Sequence, residues 1–294
     1  MTKPSFAILE SRAVLAIDGE DRVGFLQGLV STDVETVSEK KAIHAAFLTA
    51  QGKYLHDFFI AAQGEAFLLD CEAARADDLL RRLSMYRLRS KVAIEMRPDF
   101  VVGAVFGEGA GAELELGEEA GTARLLGGGL VFVDPRLAAA GARAILPADE
   151  AERVLADAGF DGTDAAAYDR SRLALGLPDG SRDLMPEKAI LLENGFDELH
   201  GVDWDKGCFL GQELTARTHY RGLVKKRLMP VTVDGPLPAP GTPVMQGDKQ
   251  AGEMRSGVDG IALALLRLDA IEAATPLTAN AATLTPNKPT WAKY

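Results

Sequence analysis

The sequence predicts an α+β protein of more than one domain, and three observations predict it. The first hundred residues mix strand and helix patterns, residues 99 to 160 alternate short Val-rich strands with Gly-rich turns before one helix, and the chain after Met229 shows only short strands cut by Pro and Gly. At 294 residues the chain also exceeds what one ordinary core supports.

The elements follow in order. Ala13 to Ile17 (AVLAI) reads as a strand and Asp18-Gly19 as a turn. Asp21 is expected to cap a helix running to Leu29, with Phe25, Leu26 and Leu29 on one face. Ala42 to Leu48 and Tyr54 to Ala61 read as strands joined by a hairpin turn at Gln51-Gly52-Lys53, and Ala66 to Asp70 as a further strand. Glu72 to Leu88 reads as a helix whose stripe is Leu79, Leu80 and Leu83. Its basic end (Arg81, Arg82, Arg87, Arg89, Lys91) complements a helix dipole. Composition shifts at Pro98. A small α+β unit ends in a helix from Ala148 to Ala158, and Gly159 to Thr163 mark its far boundary. Ala165 to Leu175 is again helical, stopped by Gly176 and Pro178. From Met229 the Pro and Gly punctuation predicts a small all-β, barrel-like domain.

Composition sets limits on function. A net charge of −11 argues against broad, sequence-independent nucleic-acid binding, which needs a dominant basic surface. No uncharged apolar run reaches the roughly 20 residues that cross a bilayer, so no membrane span is expected. The N-terminal residues show neither a signal-peptide core nor an Arg-rich transit pattern, so no targeting segment is expected. Two cysteines, Cys71 and Cys208, make no disulfide framework, and the expected location is a reducing cytoplasm.

One stretch concentrates chemistry. Trp204 to Leu228 holds Cys208, His219 and six Lys or Arg against the acids Asp205 and Glu213. Gly207 and Gly211 bracket Cys208, so the backbone can approach a ligand or take a left-handed turn. A helix is expected from near Gly211 to Arg221, which puts Cys208 just before a helix start with Lys206 two residues away. Both features favour thiolate. Gln212 and Glu213 fall in the first turn of that helix. Cys71, at a strand end, reads as structural, and His44, His56, His200 and His219 show no metal-ligand spacing. Without a Cys-x-x-Cys or a Cys/His cluster, the chain is not expected to hold alone a tetrahedral zinc or a four-thiolate iron–sulfur cluster. Any metal at Cys208 would be shared with a partner, a second copy or a small thiol. The basic run Arg217 to Arg227 reads either as a solvated helix end or as an attractor for an anionic folate tail, an acidic protein or tRNA.

Lys206 to Glu213, KGCFLGQE, resembles the K-G-C-[aromatic]-x-G-Q-E signature of the YgfZ-type folate-binding proteins, in the superfamily of the glycine-cleavage T-protein, an aminomethyltransferase. The extension LTARTHYRGLVKKRL is similar to a mitochondrial and α-proteobacterial branch serving iron–sulfur cluster assembly. Weaker matches run in order: Phe25 to Leu29 with Asp33, Gly52-Lys53 with Asp57, and Arg172 to Pro178. The resemblance implies a three-domain T-protein-like fold around a central hole that binds tetrahydrofolate. Its first domain is discontinuous (1–97 plus 164–226), its middle domain is a small α+β unit (98–163), and its C-terminal domain is a β-barrel (227–294). It implies a role in making or maintaining [4Fe-4S] proteins, with iron–sulfur assembly proteins or client enzymes as partners, and in some members tRNA thiomodification. By the resemblance Cys208 is the functional thiol, with Lys206, Gln212 and Glu213 around it. Asp57 and Glu193 are the acids expected near the folate, joined by Gly207, Gly211 and Arg221. Two departures from the aminomethyltransferase put aminomethyl transfer in doubt: its paired aspartates are here His56-Asp57, and Ala174 replaces the glutamate of its Arg-x-Glu. A folate-dependent one-carbon transferase is therefore the alternative function. An RNA-interaction protein acting through residues 81–91 and 217–227 is a third.

Overall fold

The computed structural model describes residues 4–273 and 275–293. The chain forms two compact units. The first comprises the chain up to Leu48, Leu55–Tyr168 and Leu199–Leu210. The second comprises Thr49–Tyr54, Asp169–Glu198 and the chain from Gly211 onward.

The first unit is built from β1 (Ser5–Ile8), β2 (Arg12–Asp18), β3 (Ile43–Leu48), β4 (Tyr54–Gln63), β5 (Ala66–Glu72), β6 (Ala93–Met96), β7 (Phe100–Phe106), β8 (Ala123–Leu126), β9 (Gly129–Val133), β10 (Ala142–Pro147) and β11 (Asp161–Gly162). Helices α1 (Arg22–Gln27), α2 (Ala76–Arg87), α3 (Ala110–Glu113) and α4 (Ala151–Asp157) complete it. The strands make a five-stranded sheet in the order β3-β4-β5-β2-β6 and a six-stranded sheet in the order β11-β1-β7-β10-β9-β8.

The period-2 alternation of strands explains the layering. Leu15 and Ile17 of β2, Phe58 and Ile60 of β4, and Leu69 of β5 point to one core, which they share with Phe25 and Leu26 of α1 and Leu79 and Leu83 of α2. Their neighbours Val14, Ala16, Phe59, Ala61 and Leu68 point the other way. They pack against Val102, Ala104, Leu130, Phe132 and Ile145 of the second sheet. The central strands are thus covered on both faces, and β4 is buried along nearly its whole length. The second sheet's remaining face is closed by Ala151, Val154 and Leu155 of α4.

A buried charge cluster lies within this unit. Arg12 Nε donates to Asp70 Oδ1 at 2.6 Å, and Arg143 donates to Asp70 Oδ2 at 2.5 Å and to the Tyr168 hydroxyl at 2.9 Å. Arg136 donates to Asp134 at 3.0 and 2.8 Å, and the Arg143 guanidinium lies 4.0 Å from the Phe59 ring centre. Pairing and ring stacking together make the burial of these ions tolerable.

Helix α5 (Ala165–Leu175) carries the chain into the second unit, which also holds α6 (Gln212–Tyr220) and a closed barrel. The barrel consists of β12 (Lys226–Asp234), β13 (Pro243–Gln246), β14 (Lys249–Val258), β15 (Ile261–Arg267), β16 (Leu277–Ala279) and β17 (Ala282–Pro286), with α7 (Leu268–Glu272) after β15. It closes in the order β12-β15-β14-β13-β16-β17 around Met229, Val231, Met254, Ala262, Ala264 and Leu284. Closure removes the free edges that the Pro- and Gly-cut strands would otherwise expose. The fold class is the α+β one with a C-terminal β-barrel. No described helix is long and apolar enough to cross a membrane.

Two local expectations are corrected. Asp21 makes no side-chain cap for α1; its carboxylate instead accepts the Lys91 backbone N–H at 2.7 Å, tying the helix entry to the segment that precedes β6. The helix expected from Glu72 starts at Ala76, after a single tight turn at Ala73–Arg75, because β5 continues to Glu72.

Candidate functional site

Cys208 is exposed, on a non-helical loop of the first unit. That loop is stitched down at several points. Asp203 N–H donates to Ser31 O at 2.9 Å, and the Asp203 carboxylate accepts the N–H groups of Asp205 and Lys206 at 2.9 and 3.2 Å, an Asx-type turn. Leu210 N–H donates to Gly28 O at 3.0 Å. Between these anchors the Lys206 ammonium donates to three carbonyls, Gln27 O at 2.9 Å, Val30 O at 2.6 Å and Thr32 O at 2.9 Å, and sits 5.3 Å from the Phe209 ring centre. An ammonium satisfies the carbonyls left over after α1, as cations do at helix ends. Burial pushes Lys206 down to about 8, against the pull of Asp33, Asp203 and Glu35. Lys206 is therefore a clamp that fixes the Cys208 loop upon α1.

The other end of that clamp is the Phe25 to Leu29 stretch with Asp33. Gln27 Nε2 donates to Asp33 Oδ1 at 2.8 Å, and Gln27 Oε1 accepts Val34 N–H at 2.8 Å. The first weak motif and the cysteine motif are thus one structural feature. Gly207 has open space where a Cβ would stand, and it is not in a left-handed conformation.

Asp57 lies on β4 and is buried at 6% exposure, with its Oδ2 3.1 Å from His44 Nε2. Burial lowers the His44 pKa, and Asp57 counteracts it. The neighbouring His56 is bonded to Asp78 of α2 at 3.0 Å, and burial with the Arg75 charge pushes it down to about 4. Cys71 is buried, and burial pushes its thiol up to about 12.

In the second unit the hairpin turn Thr49 to Lys53 meets the start of α6. Gly52, at φ +78°, packs its backbone on Gly211, itself left-handed at φ 80°. Gln212 and Glu213 form the first turn of α6, Glu213 exposed, and Arg221 closes the helix, also exposed. The basic run after it divides. Arg217, Lys225 and Lys226 face solvent, but Arg227 is buried and donates to Leu192 O at 2.8 Å and Glu198 Oε2 at 2.9 Å.

Glu193 sits on a tight turn (Leu191–Asn194), half-buried, and its carboxylate makes no described hydrogen bond or ion pair. Burial raises its pKa, with Lys226, Lys53 and Arg227 pulling the other way. It lines a cavity of about 530 Å³ together with Lys188, Asn194, Lys226, Arg255 and Arg267. Asp183 and Glu253 also line it, but Asp183 is paired with Arg172, Glu253 with Arg255, and Arg267 with Asp269. Its open charges are therefore the Glu193 carboxylate and the ammonium groups of Lys188 and Lys226, which suits a ligand that carries both ring N–H groups and carboxylates.

The Arg172 to Pro178 motif has a different job. Arg172 is fully buried, donating to Asp169 at 2.6 Å, Asp183 at 2.9 Å, Ser256 Oγ at 2.9 Å and Leu177 O at 3.1 Å. It pins α5 and the following loop to β14 of the barrel. Sequence reading missed Asp183 and Ser256, which carry no local signal, and missed the carboxyl pair Asp197–Glu198 beside Arg227. Burial and the Asp197 neighbour push Glu198 up to about 7.

Comparison with known proteins gives three results. Residues 225–294 match the family described as CAF17, C-terminal beta-barrel domain. The human protein named iron-sulfur cluster assembly factor IBA57, mitochondrial, is 37% identical over 279 residues, covering 88% of this chain and 76% of the relative. Its mouse counterpart is 35% identical over 288 residues, covering 90% and 78%. Among solved structures, the glycine cleavage system aminomethyltransferase T from Bartonella henselae superposes with a TM-score of 0.79 over 99% of this chain and 87% of its own, at 16% identity. At that identity the likeness establishes the T-protein fold alone. The relatives also correct the expected location. Each is named mitochondrial, which overturns the cytoplasmic expectation. Cys71 and Cys208 are both free, which does not distinguish the one location from the other.

Proposed function

The chain belongs to the family of IBA57 iron–sulfur cluster assembly factors, and from that premise we propose that it is a tetrahydrofolate-binding accessory protein in the assembly or maintenance of [4Fe-4S] proteins, with Cys208 as its working thiol. A role in iron–sulfur protein assembly follows from the family; the folate, the cluster type and the thiol are the finer reading.

The observation that carries it is the Cys208 loop. An exposed thiol stands on backbone held by the Lys206 clamp, the Asp203 turn and the Leu210 bond, and Gly207 beside it leaves room for a ligand. Held in this way, a thiolate can ligate iron or attack an electrophile without first being ordered. One thiolate leaves an iron with unfilled positions, so the cluster is cargo whose other ligands come from a partner or client protein.

The residues of the second unit fit a folate. Glu193 would be the acceptor for the N–H groups of a pterin, and Lys188 and Lys226 the counter-ions for the glutamate carboxylates, since Arg267 is already paired with Asp269. Bound tetrahydrofolate would supply the chemistry of its reduced pterin, and the chain's own residues bind and orient it. The one-carbon transferase reading is less well supported, because Asp57, the acid it needs, is buried and engaged with His44.

The test has two arms. Calorimetric titration with tetrahydrofolate should show binding by the wild type, weakened at least tenfold in Glu193→Gln; no binding by the wild type rejects the folate. Cells carrying Cys208→Ala should lose [4Fe-4S] enzyme activity of the aconitase type; full activity rejects the thiol.

A further inference from the structure

Between Leu79 and Ile94 the chain carries Arg81, Arg82, Arg87, Arg89 and Lys91 and no acid, in a protein of net charge −11. Three of these cations have partners: Arg81 and Arg82 pair with Asp78, and Lys91 with Glu20. Arg87 and Arg89 are exposed, and no described hydrogen bond or ion pair engages their guanidinium groups.

Between them stands Leu88, 87% exposed, with Met85 nearby at 57%. Leu88 has φ 45° and ψ −105°, and the Ser90 N–H donates to Arg87 O at 2.8 Å. Arg87 to Ser90 is therefore a β-turn with Leu88 in the first central position of the II′ class, a place that ordinarily needs glycine. A branched apolar side chain is thus held in water on a strained backbone. Strain of this kind collects where it serves a function. Two shallow depressions flank the turn, one of about 420 Å³ lined by Asp18, Arg87 and Lys91 among others, and one of about 720 Å³ lined by Asp21, Leu88, Arg89 and Ser90.

We infer that the turn Arg87–Ser90 is a docking surface for an acidic segment of a partner protein, which pairs its carboxylates with Arg87 and Arg89 and packs apolar side chains around Leu88. Charge complementarity identifies the occupant. A single-stranded nucleic acid wants aromatic faces to stack on, and the one aromatic here, Tyr86, stands edge-on against Phe47. An anionic lipid surface would also meet Asp18 and Asp21, whereas a peptide can place its acids on the two arginines and avoid them. The surface contains neither Cys208 nor Glu193, so it extends the assembly reading by naming where a protein partner is held.

The test replaces Leu88 with the photo-crosslinker p-benzoylphenylalanine in the full-length protein, irradiates it in cells, and sequences the crosslinked peptide by mass spectrometry. The expected adduct is a protein segment rich in Asp and Glu. Its purified complex should weaken at least tenfold in Arg87→Glu/Arg89→Glu and with rising salt. Leu88→Gly should raise the melting temperature while lowering affinity, a divergence that a merely structural role would not produce. Adducts confined to RNA or lipid, a segment without acids, no adduct, or unchanged affinity on charge reversal would each overturn the inference. Tetrahydrofolate titration of the same variants separates this result from the folate reading, since the docking variants should bind it as the wild type does.

Discussion

A Cβ built on Gly52 would lie 2.6 Å from the carbonyl oxygen of Gly211 and 2.6 Å from Leu214 Cβ, so the hairpin turn and the start of α6 touch backbone to backbone. Both glycines hold left-handed φ values, of 78° and 80°. Gly52→Ala faces the φ penalty and the contact together, and neither the carbonyl nor the helix start can move cheaply. The expected loss is about 2–4 kcal/mol, read as a lower denaturant midpoint with an unchanged slope. A variant as stable as the wild type would mean that the two segments can separate at little cost.

Lys206 is expected to contribute mainly through its clamp. Lys206→Met keeps the length of the side chain and removes three charge-assisted bonds, so stability should fall by about 2 kcal/mol. Lys206→Arg should not restore it, because a planar fork cannot reach three carbonyls that converge on one point charge. Hydrogen exchange of residues 203–210 gives the sharper readout. Their protection should drop more in Lys206→Met than that of the barrel strands, and uniform loss across the protein would contradict a local clamp.

Gly207 separates scaffold from ligand. A methyl group there meets nothing within 4 Å, and the backbone is not left-handed. Gly207→Ala should therefore change stability by no more than about 0.5 kcal/mol, and a small gain is expected from the unfolded chain. If a ligand approaches this backbone, the same variant should impair support of [4Fe-4S] enzymes in cells by severalfold. Full support together with full stability would remove Gly207 from the site.

Much of this architecture was legible because local patterns carried it. Leu15, Ile17, Phe58 and Ile60 alternate with Val14, Ala16, Phe59 and Ala61, and that period of two is the layering itself. Gly176 and Pro178 stop α5 where the sequence places its end. Partners brought together only by tertiary contact were not legible. The Arg172 motif was visible, but Asp183 and Ser256, 11 and 84 positions away, carry no mark of their own. Asp21 looked like a helix cap because capping is the local use of an aspartate, and a backbone N–H at Lys91, 70 positions on, takes its carboxylate instead. Lys206 was read as a neighbour of the thiol by sequence spacing. Its real environment is set by carbonyls 174 to 179 positions away.

His56 makes stability depend on pH in mild acid. Its folded-state pKa is pushed down to about 4, by burial first and by Arg75 second, from an ordinary value of 6.5. Above pH 6.5 the ring is neutral folded or unfolded, and its contribution is fully present. Between pH 6.5 and 4 the unfolded chain takes up a proton that the folded protein refuses, so stability falls as pH falls. Glu198 works in the opposite direction. Raised to about 7 from 4.5, it contributes stability below pH 4.5 that is lost as pH rises towards 7. The two slopes overlap between pH 4.5 and 6.5 and partly cancel in the wild type. His56→Gln removes the first and should leave stability falling as pH rises through that window, whereas Glu198→Gln removes the second and should leave stability rising, each by about 1–3 kcal/mol. Denaturant melts at pH 4.5, 5.5 and 6.5 decide it, and parallel profiles for the two variants would mean that neither group carries the dependence.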